Sequence, residues 1–320
     1  MSLKRGFVFT LWLLISIPLF AENVATFSIV ARDPDTGELG VAVASRFFSV
    51  GSVVPYAKAD VGAVATQAAA NTTFGPRGLD LLHSGMKPAD VLKSLLQGDE
   101  DANRRQVGIV AADGTSVSYT GEGCNQWAGG RSGPNYAVQG NILAGEAVVV
   151  AMEKAFLETK GSLASRMYAA LLAGDSKGGD SRGKQSAVLI VVKEGAGYGG
   201  YNDRAIDIRV DDHPEPFQEL GRLLKIAEMN YAWNEGWNLF THKKYAEALP
   251  VQERAATMAP ENPELLYDLA VIRLAAGKKA EALEALKKAI TLNPKLKKQA
   301  SEDKDLTALH GNPEYDSLIK

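Results

Sequence analysis

Cysteine is almost missing from this sequence: Cys124 is the only one in 320 residues, which excludes a disulfide within the chain and a metal site built on several thiolates. Histidine is scarce as well. His83, His213, His242 and His310 stand far apart, with no HExxH or paired-ligand spacing, so a zinc hydrolase is not expected. No phosphate loop or dinucleotide fingerprint sits at a strand-to-helix junction, and neither a metal ion nor an organic cofactor is called for. An excess of one charge is also missing. With 35 basic and 38 acidic residues the formal charge is −3, and no block of like charge could hold a polyanion, so nucleic acid is not an expected partner. After the first 20 or so positions, every apolar run is interrupted by glycine, charge or polar residues.

What is present begins with a long, mainly apolar stretch, residues 7–20, which follows Lys4 and Arg5 and ends at Ala21. It is shorter than the roughly 20 residues that span a bilayer comfortably. It reads as a signal peptide over residues 1–21, leaving no transmembrane segment after cleavage and placing the mature protein in the periplasm or outside the cell. Apolar residues make up 46% of the chain, enough for one sizeable domain and a smaller one. The lone thiol of Cys124 reads as a small buried hydrophobe.

The C-terminal third repeats itself. KYAEAL at 244–249 recurs as KKAEAL at 278–283, and Pro260 recurs as Pro294, an offset of 34 residues. Trp233, Gly236, Ala248 and Ala255 fall opposite Tyr267, Ala270, Ala282 and Ala289, so small residues recur where paired helices must approach closely. The pattern resembles the tetratricopeptide repeat. Two such repeats are marginal alone, because each helix pair is half covered until a neighbour stacks on it. The last stretch, residues 301–320, offers Leu306, Leu309, Tyr315, Leu318 and Ile319 as that cover. A protein or peptide partner is the expected occupant of the repeats, the alternative being that they brace the first domain or a homo-oligomer.

Ahead of the repeats the pattern has period two. TFSIVARD at 26–33 and LGVAVAS at 39–45 read as a hairpin, with further strands at 61–67, 107–111, 116–120, 187–192 and 205–210. Helices are expected at 78–83, 88–96, 145–159 and 163–173, and another series begins at 214–228. Strands, a block of helices, then strands again fit an α+β layered sandwich rather than a βαβ series. GAGYGGY, at 195–201, reads as a turn rather than a ligand cradle. GGDSRGKQSA, around Asp180 and Arg182, reads as a salt-linked turn or a pocket rim. Asp211 or Asp212 is expected to cap the helix that follows, with a bound cation as the lesser alternative.

The run from Thr26 to Gln67, together with GPRGLDLL, WAG, YAVQGN, GGDSRGKQSA and GGYNDRAIDIRVDDHP, resembles the DUF1028 family of bacterial proteins. That resemblance implies a four-layer αββα sandwich of the N-terminal nucleophile (Ntn) hydrolase type over residues 22–226, followed by an all-α module: two repeats at 227–300 and a capping tail at 301–320. It also implies a chemistry. Thr26 would be the nucleophile, with its own freed α-amine as base; Lys58 would depress the hydroxyl pKa, Ser45 would hold a hydrogen bond, and Asn71 would serve the oxyanion. Gln67 and Trp127 are expected to line a pocket near Thr26. Signal cleavage after Ala21 leaves four residues, 22–25, ahead of that threonine. The expectation is an exported amide hydrolase, and the alternative is a non-catalytic scaffold of the same fold.

Overall fold

The computed structural model describes residues 26–320; the signal-like segment lies outside them. The chain runs through β1 (Thr26–Arg32), β2 (Leu39–Ser45), β3 (Pro55–Lys58), β4 (Gly62–Ala68), α1 (Phe74–His83), α2 (Pro88–Leu96), β5 (Arg105–Ala111) and β6 (Ser116–Thr120). Next come β7 (Gly129–Gly133), β8 (Tyr136–Asn141), α3 (Ala147–Glu158), α4 (Leu163–Asp175), β9 (Ser186–Val192) and β10 (Arg204–Val210). The strands form two sheets, one ordered β10-β9-β2-β1-β8-β7 and the other β3-β4-β5-β6. All neighbouring strands are antiparallel.

Period-two patterning decides which face goes where. On β1, Phe27, Ile29 and Ala31 point outward into a cluster with Met152 and Phe156 of α3 and Leu163, Met167 and Leu171 of α4. Val30 points the other way and, with Val41, Val43, Val188 and Ile190, meets Ala63, Ala65 and Val110 of the second sheet. The outer face of that sheet buries Val64, Val107 and Ile109 against Phe74, Leu82, Val91 and Leu95. The result is a four-layer αββα sandwich, as the sequence led us to expect. Both faces of each sheet are covered, and the central strands β2 (LGVAVAS) and β9 (SAVLIVV) are accordingly near-continuous apolar runs.

The helical module consists of α5 (Pro216–Thr241), α6 (Tyr245–Met258), α7 (Pro263–Ala275), α8 (Lys279–Leu292), α9 (Leu296–Glu302) and α10 (Pro313–Ile319). Its first helix belongs to both domains. Phe217, Leu220 and Leu224 of α5 pack into the sandwich, whereas Ala232, Trp233 and Trp237 of the same helix pack into the repeats. The boundary expected at 226/227 therefore falls in the middle of a continuous helix, with no linker. Tyr231 donates a hydrogen bond to Glu38 Oε1 at 3.2 Å, and burial pushes the Glu38 carboxyl above its usual range.

Within the module, Leu306, Leu309 and Tyr315 are buried against the repeats, supplying the cover that two stacked pairs need. Two further bonds, not foreseen, join each layer to the next: Trp233 Nε1 donates to Asp268 at 2.8 Å and the Tyr267 hydroxyl to Asp303 at 2.7 Å. Among the described residues no helix is long and apolar enough to cross a membrane.

Burial pushes the Asp268 carboxyl up from 3.8 to about 6, the Trp233 bond opposing and the charges of Asp303 and Glu264 adding to the rise. A folded carboxyl that holds its proton more tightly than the unfolded one favours folding at low pH, and that contribution is lost as pH rises from about 4 through about 6. Asp268→Asn is expected to abolish this fall and to stabilise the protein at pH 7 by on the order of 2 kcal/mol. Urea unfolding followed by helical circular dichroism between pH 4 and 7 measures both effects.

Candidate functional site

One end of the space between the sheets is not apolar. Thr26 and Ser28 of β1, Ser45 of β2, Gln67 of β4, Gln106 of β5, and Gln139 and Asn141 of β8 are all buried. Each takes an inward position on its strand. They replace the aliphatic packing found further along with a connected hydrogen-bonded layer.

The orientation of every side-chain amide in the linked part of that layer follows from one residue. Gln106 Nε2 lies 2.8 Å from the Gly140 carbonyl and 3.3 Å from that of Gly129, and 2.9 Å from Thr120 Oγ1. Backbone carbonyls only accept, so this end of the Gln106 amide must be the NH2 group. Its Oε1 then accepts, from Gln67 Nε2 at 2.8 Å and from Asn141 Nδ2 at 3.0 Å. Gln67 Nε2 also donates to the Thr26 carbonyl at 3.3 Å, and its Oε1 accepts from Ser28 Oγ at 2.6 Å. Ser28 Oγ in turn accepts from Gln139 Nε2 at 2.7 Å. When these bonds are assigned, Asn141 Oδ1 is left buried with no donor.

Thr26 stands at the start of β1 between two neighbours, Ser45 on β2 and Asn141 on β8. Arg32 N donates to Asn135 O at 2.8 Å, on the β8 side. Strand N–H groups alternate sides, so the nitrogen of Thr26, six residues earlier in the same register, also faces β8 and Asn141. Toward β2, Thr26 and Ser45 are a non-hydrogen-bonded pair, the kind in which side chains approach most closely. Their hydroxyl oxygens lie 3.3 Å apart.

The strands turn sharply just beyond this layer. Ala68 follows Gln67 with φ of 63°, and Ile142 follows Asn141 with φ of 51°. A β-branched residue in the left-handed region is a strained one. Ile142 is held there by bonds from its N to Asn125 O at 3.1 Å and from Ser181 N to its carbonyl at 2.9 Å. The GGDSRG loop thereby lies against the Thr26 end of the sheet. In it the buried Asp180 accepts from Arg46 N at 2.8 Å and pairs with Arg182 at 3.0 Å, so the segment is a salt-linked turn.

Other expected residues lie elsewhere. Lys58 is exposed at the end of β3 and pairs with Gly62. Gly62 is five residues from Gln67 along β4, or roughly 16 Å, so Lys58 sits at the far end from Thr26 and does not join it. Asn71 opens the turn before α1: its Oδ1 accepts from the N and Oγ1 of Thr73 at 3.1 and 2.7 Å, so that oxygen is committed to the turn. Trp127 packs against the helix-side core. Asp211 and Asp212 do not cap α5; they accept from Ser49 Oγ and Gln185 Nε2, and His213 Nδ1 accepts from Glu215 N at 3.0 Å instead. GAGYGGY is a turn pinned to α5, with Gly199 N donating to Asn234 Oδ1 at 3.0 Å. Cys124 is buried, and desolvation pushes its thiol up. No cluster of three metal-ligating side chains occurs among the described residues.

Residues 26–220 match the model of a family described as "Family of unknown function (DUF1028)". The chain belongs to the DUF1028 family. A crystal structure of protein SPO2555 from Silicibacter pomeroyi, a DUF1028 protein, is similar at a TM-score of 0.58 and 29% identity, over 63% of this chain and 89% of that one. Residues 239–300 match a tetratricopeptide repeat model, which marks the helical module as of the protein-binding type. No curated protein matches the chain.

Sequence reading passed over Ser28, Gln106, Gln139 and Asn141 of this DUF1028 domain. The available signal was polar residues two apart, as in Thr26 with Ser28 and Gln139 with Asn141. Gln106→Leu leaves several of these groups unpaired at once and is expected to lower stability by roughly 2–4 kcal/mol. Gly108→Ala is expected to cost about 1–3 kcal/mol, because its Cβ would lie 2.3 Å from Gln139 Oε1, a side chain held by Ser28 and Ser118. Urea unfolding of both variants checks this.

Proposed function

We propose that this protein is an exported amide hydrolase that works in the periplasm or outside the cell. Its nucleophile is the Thr26 hydroxyl, freed as the first residue of the mature chain, and its repeats hold a protein or peptide partner. The observation that carries the reading is how Thr26 is divided between its neighbours. Its Oγ1 lies 3.3 Å from Ser45 Oγ, while its nitrogen faces the other strand. A free α-amine, with an ordinary pKa near 8, takes the hydroxyl proton as the oxygen attacks an amide carbonyl. The acyl group passes to the threonine oxygen as an ester, the amine returns the proton to the departing nitrogen, and water then releases the acid by the same route.

The chemistry requires removal of residues 22–25 after signal cleavage. In the full-length chain Thr26 is 0% exposed, so the reading requires that removal of residues 22–25 also open its hydroxyl to substrate. The substrate this reading assigns is an acyl group in amide linkage.

The second reading is a scaffold that binds partners without catalysis. It is favoured by the location of open surface. A groove of about 640 Å³ lies on the repeats between Glu253, Leu266, Arg273 and Lys288, away from Thr26.

An electrophilic β-lactone separates the two readings. Chain beginning at Thr26 is expected to gain one probe mass by intact-mass spectrometry; Thr26→Ser should retain labelling and Thr26→Ala should lose it. A trimmed, folded chain that takes up no probe supports the scaffold.

A further inference from the structure

We propose that Asn141 is the positioning residue that binds the α-amine of Thr26 and holds it beside the hydroxyl; this rests on the hydrolase reading for its purpose, though not for its test. Two independent observations converge on that role. Asn141 Oδ1 is a buried acceptor with no donor, and the residue is 1% exposed. The orientation of its amide is not free to reverse, because Gln106 Oε1 claims Nδ2 and is itself fixed by the Gly129 and Gly140 carbonyls. Separately, the strand register places the nitrogen of Thr26 on the β8 side, opposite Asn141, with both side chains on the same face.

In the uncut chain that nitrogen carries one hydrogen, and the β1–β8 ladder uses it. Cutting the bond before Thr26 turns it into an amine, which carries three hydrogens when protonated, and so adds donors on the side of the strand where its register partner Asn141 carries an unmatched acceptor. A buried acceptor without a donor is unfavourable, and the trimmed state removes that defect. Ser45 approaches the hydroxyl from the opposite strand. The two neighbours thus divide the threonine, Asn141 holding the base and Ser45 the nucleophile. Asn141 touches neither substrate nor the attacked carbonyl; it acts through the amine.

The test reads the amine directly. Chain Thr26–Lys320 with an unblocked first residue contains every described element, and its threonine nitrogen can be titrated by NMR after isotopic labelling. Asn141→Asp puts a carboxylate beside the amine and should favour the ammonium form, raising the titration midpoint by about one pH unit, a tenfold change in proton affinity. Asn141→Leu removes the acceptor and should move the midpoint down. Asn135→Asp, six residues away in the turn that precedes the same strand, should leave it in place and controls for added charge. Equal midpoints in wild type, Asn141→Asp and Asn141→Leu, with thermal unfolding showing all three folded, overturn the proposal. β-Lactone labelling of the same samples is scored separately: a shifted amine without labelling upholds the role of Asn141 while removing the hydrolase reading.

Discussion

A single amide, that of Gln106, determines the arrangement of the polar layer between the two sheets. Because its NH2 end meets two backbone carbonyls, the bonds that run from it have one allowed direction, through Gln67, Ser28 and Gln139 on one side and Asn141 on the other. Polar groups buried this completely are tolerated only when paired, and almost all of these are. The layer therefore fixes the distance between sheets at the Thr26 end and specifies which atom of each side chain faces that residue. The apolar layer further along has no such directionality; Val30, Val41 and Val110 fill space there.

The second constraint is the shared helix. A tetratricopeptide module attached by a flexible linker would leave the sandwich and its partner free to reorient. In this protein α5 carries side chains of both cores, and the Tyr231–Glu38 bond joins it to the residue just before β2. Whatever the repeats hold is thereby kept in a fixed relation to the sheet that bears Thr26. The Trp233–Asp268 and Tyr267–Asp303 bonds carry that rigidity from one helical layer to the next.

Much of this was legible in the sequence, for identifiable reasons. Strands β1, β2 and β9 announce themselves because their apolar residues form short runs bounded by turns, and α2 begins at a proline in its first turn. The 34-residue offset places the repeats. Three strands escaped notice: β3, β7 and β8. Of these β7 is GGRSG, a composition that reads as loop, and the inward residues of β8 include Gln139 and Asn141, which break the expected apolar alternation. Those residues belong to the buried polar layer, so the candidate site lay hidden where the pattern failed. Lys58 was misplaced for a related reason: closeness along the chain does not reveal which end of a strand a residue occupies. The boundary between domains was invisible because α5 has apolar residues facing two different cores at its two ends.

The account as a whole turns on a covalent fact, the identity of the first residue in the working protein. A threonine whose hydroxyl and nitrogen are addressed by separate strands is arranged for attack only if the nitrogen is an amine. The intact mass of the chain recovered from its native compartment decides this most directly. The account predicts a mass that begins at Thr26 and ends at Lys320; a mature chain that retains Glu22, or any residue ahead of the threonine, would contradict it.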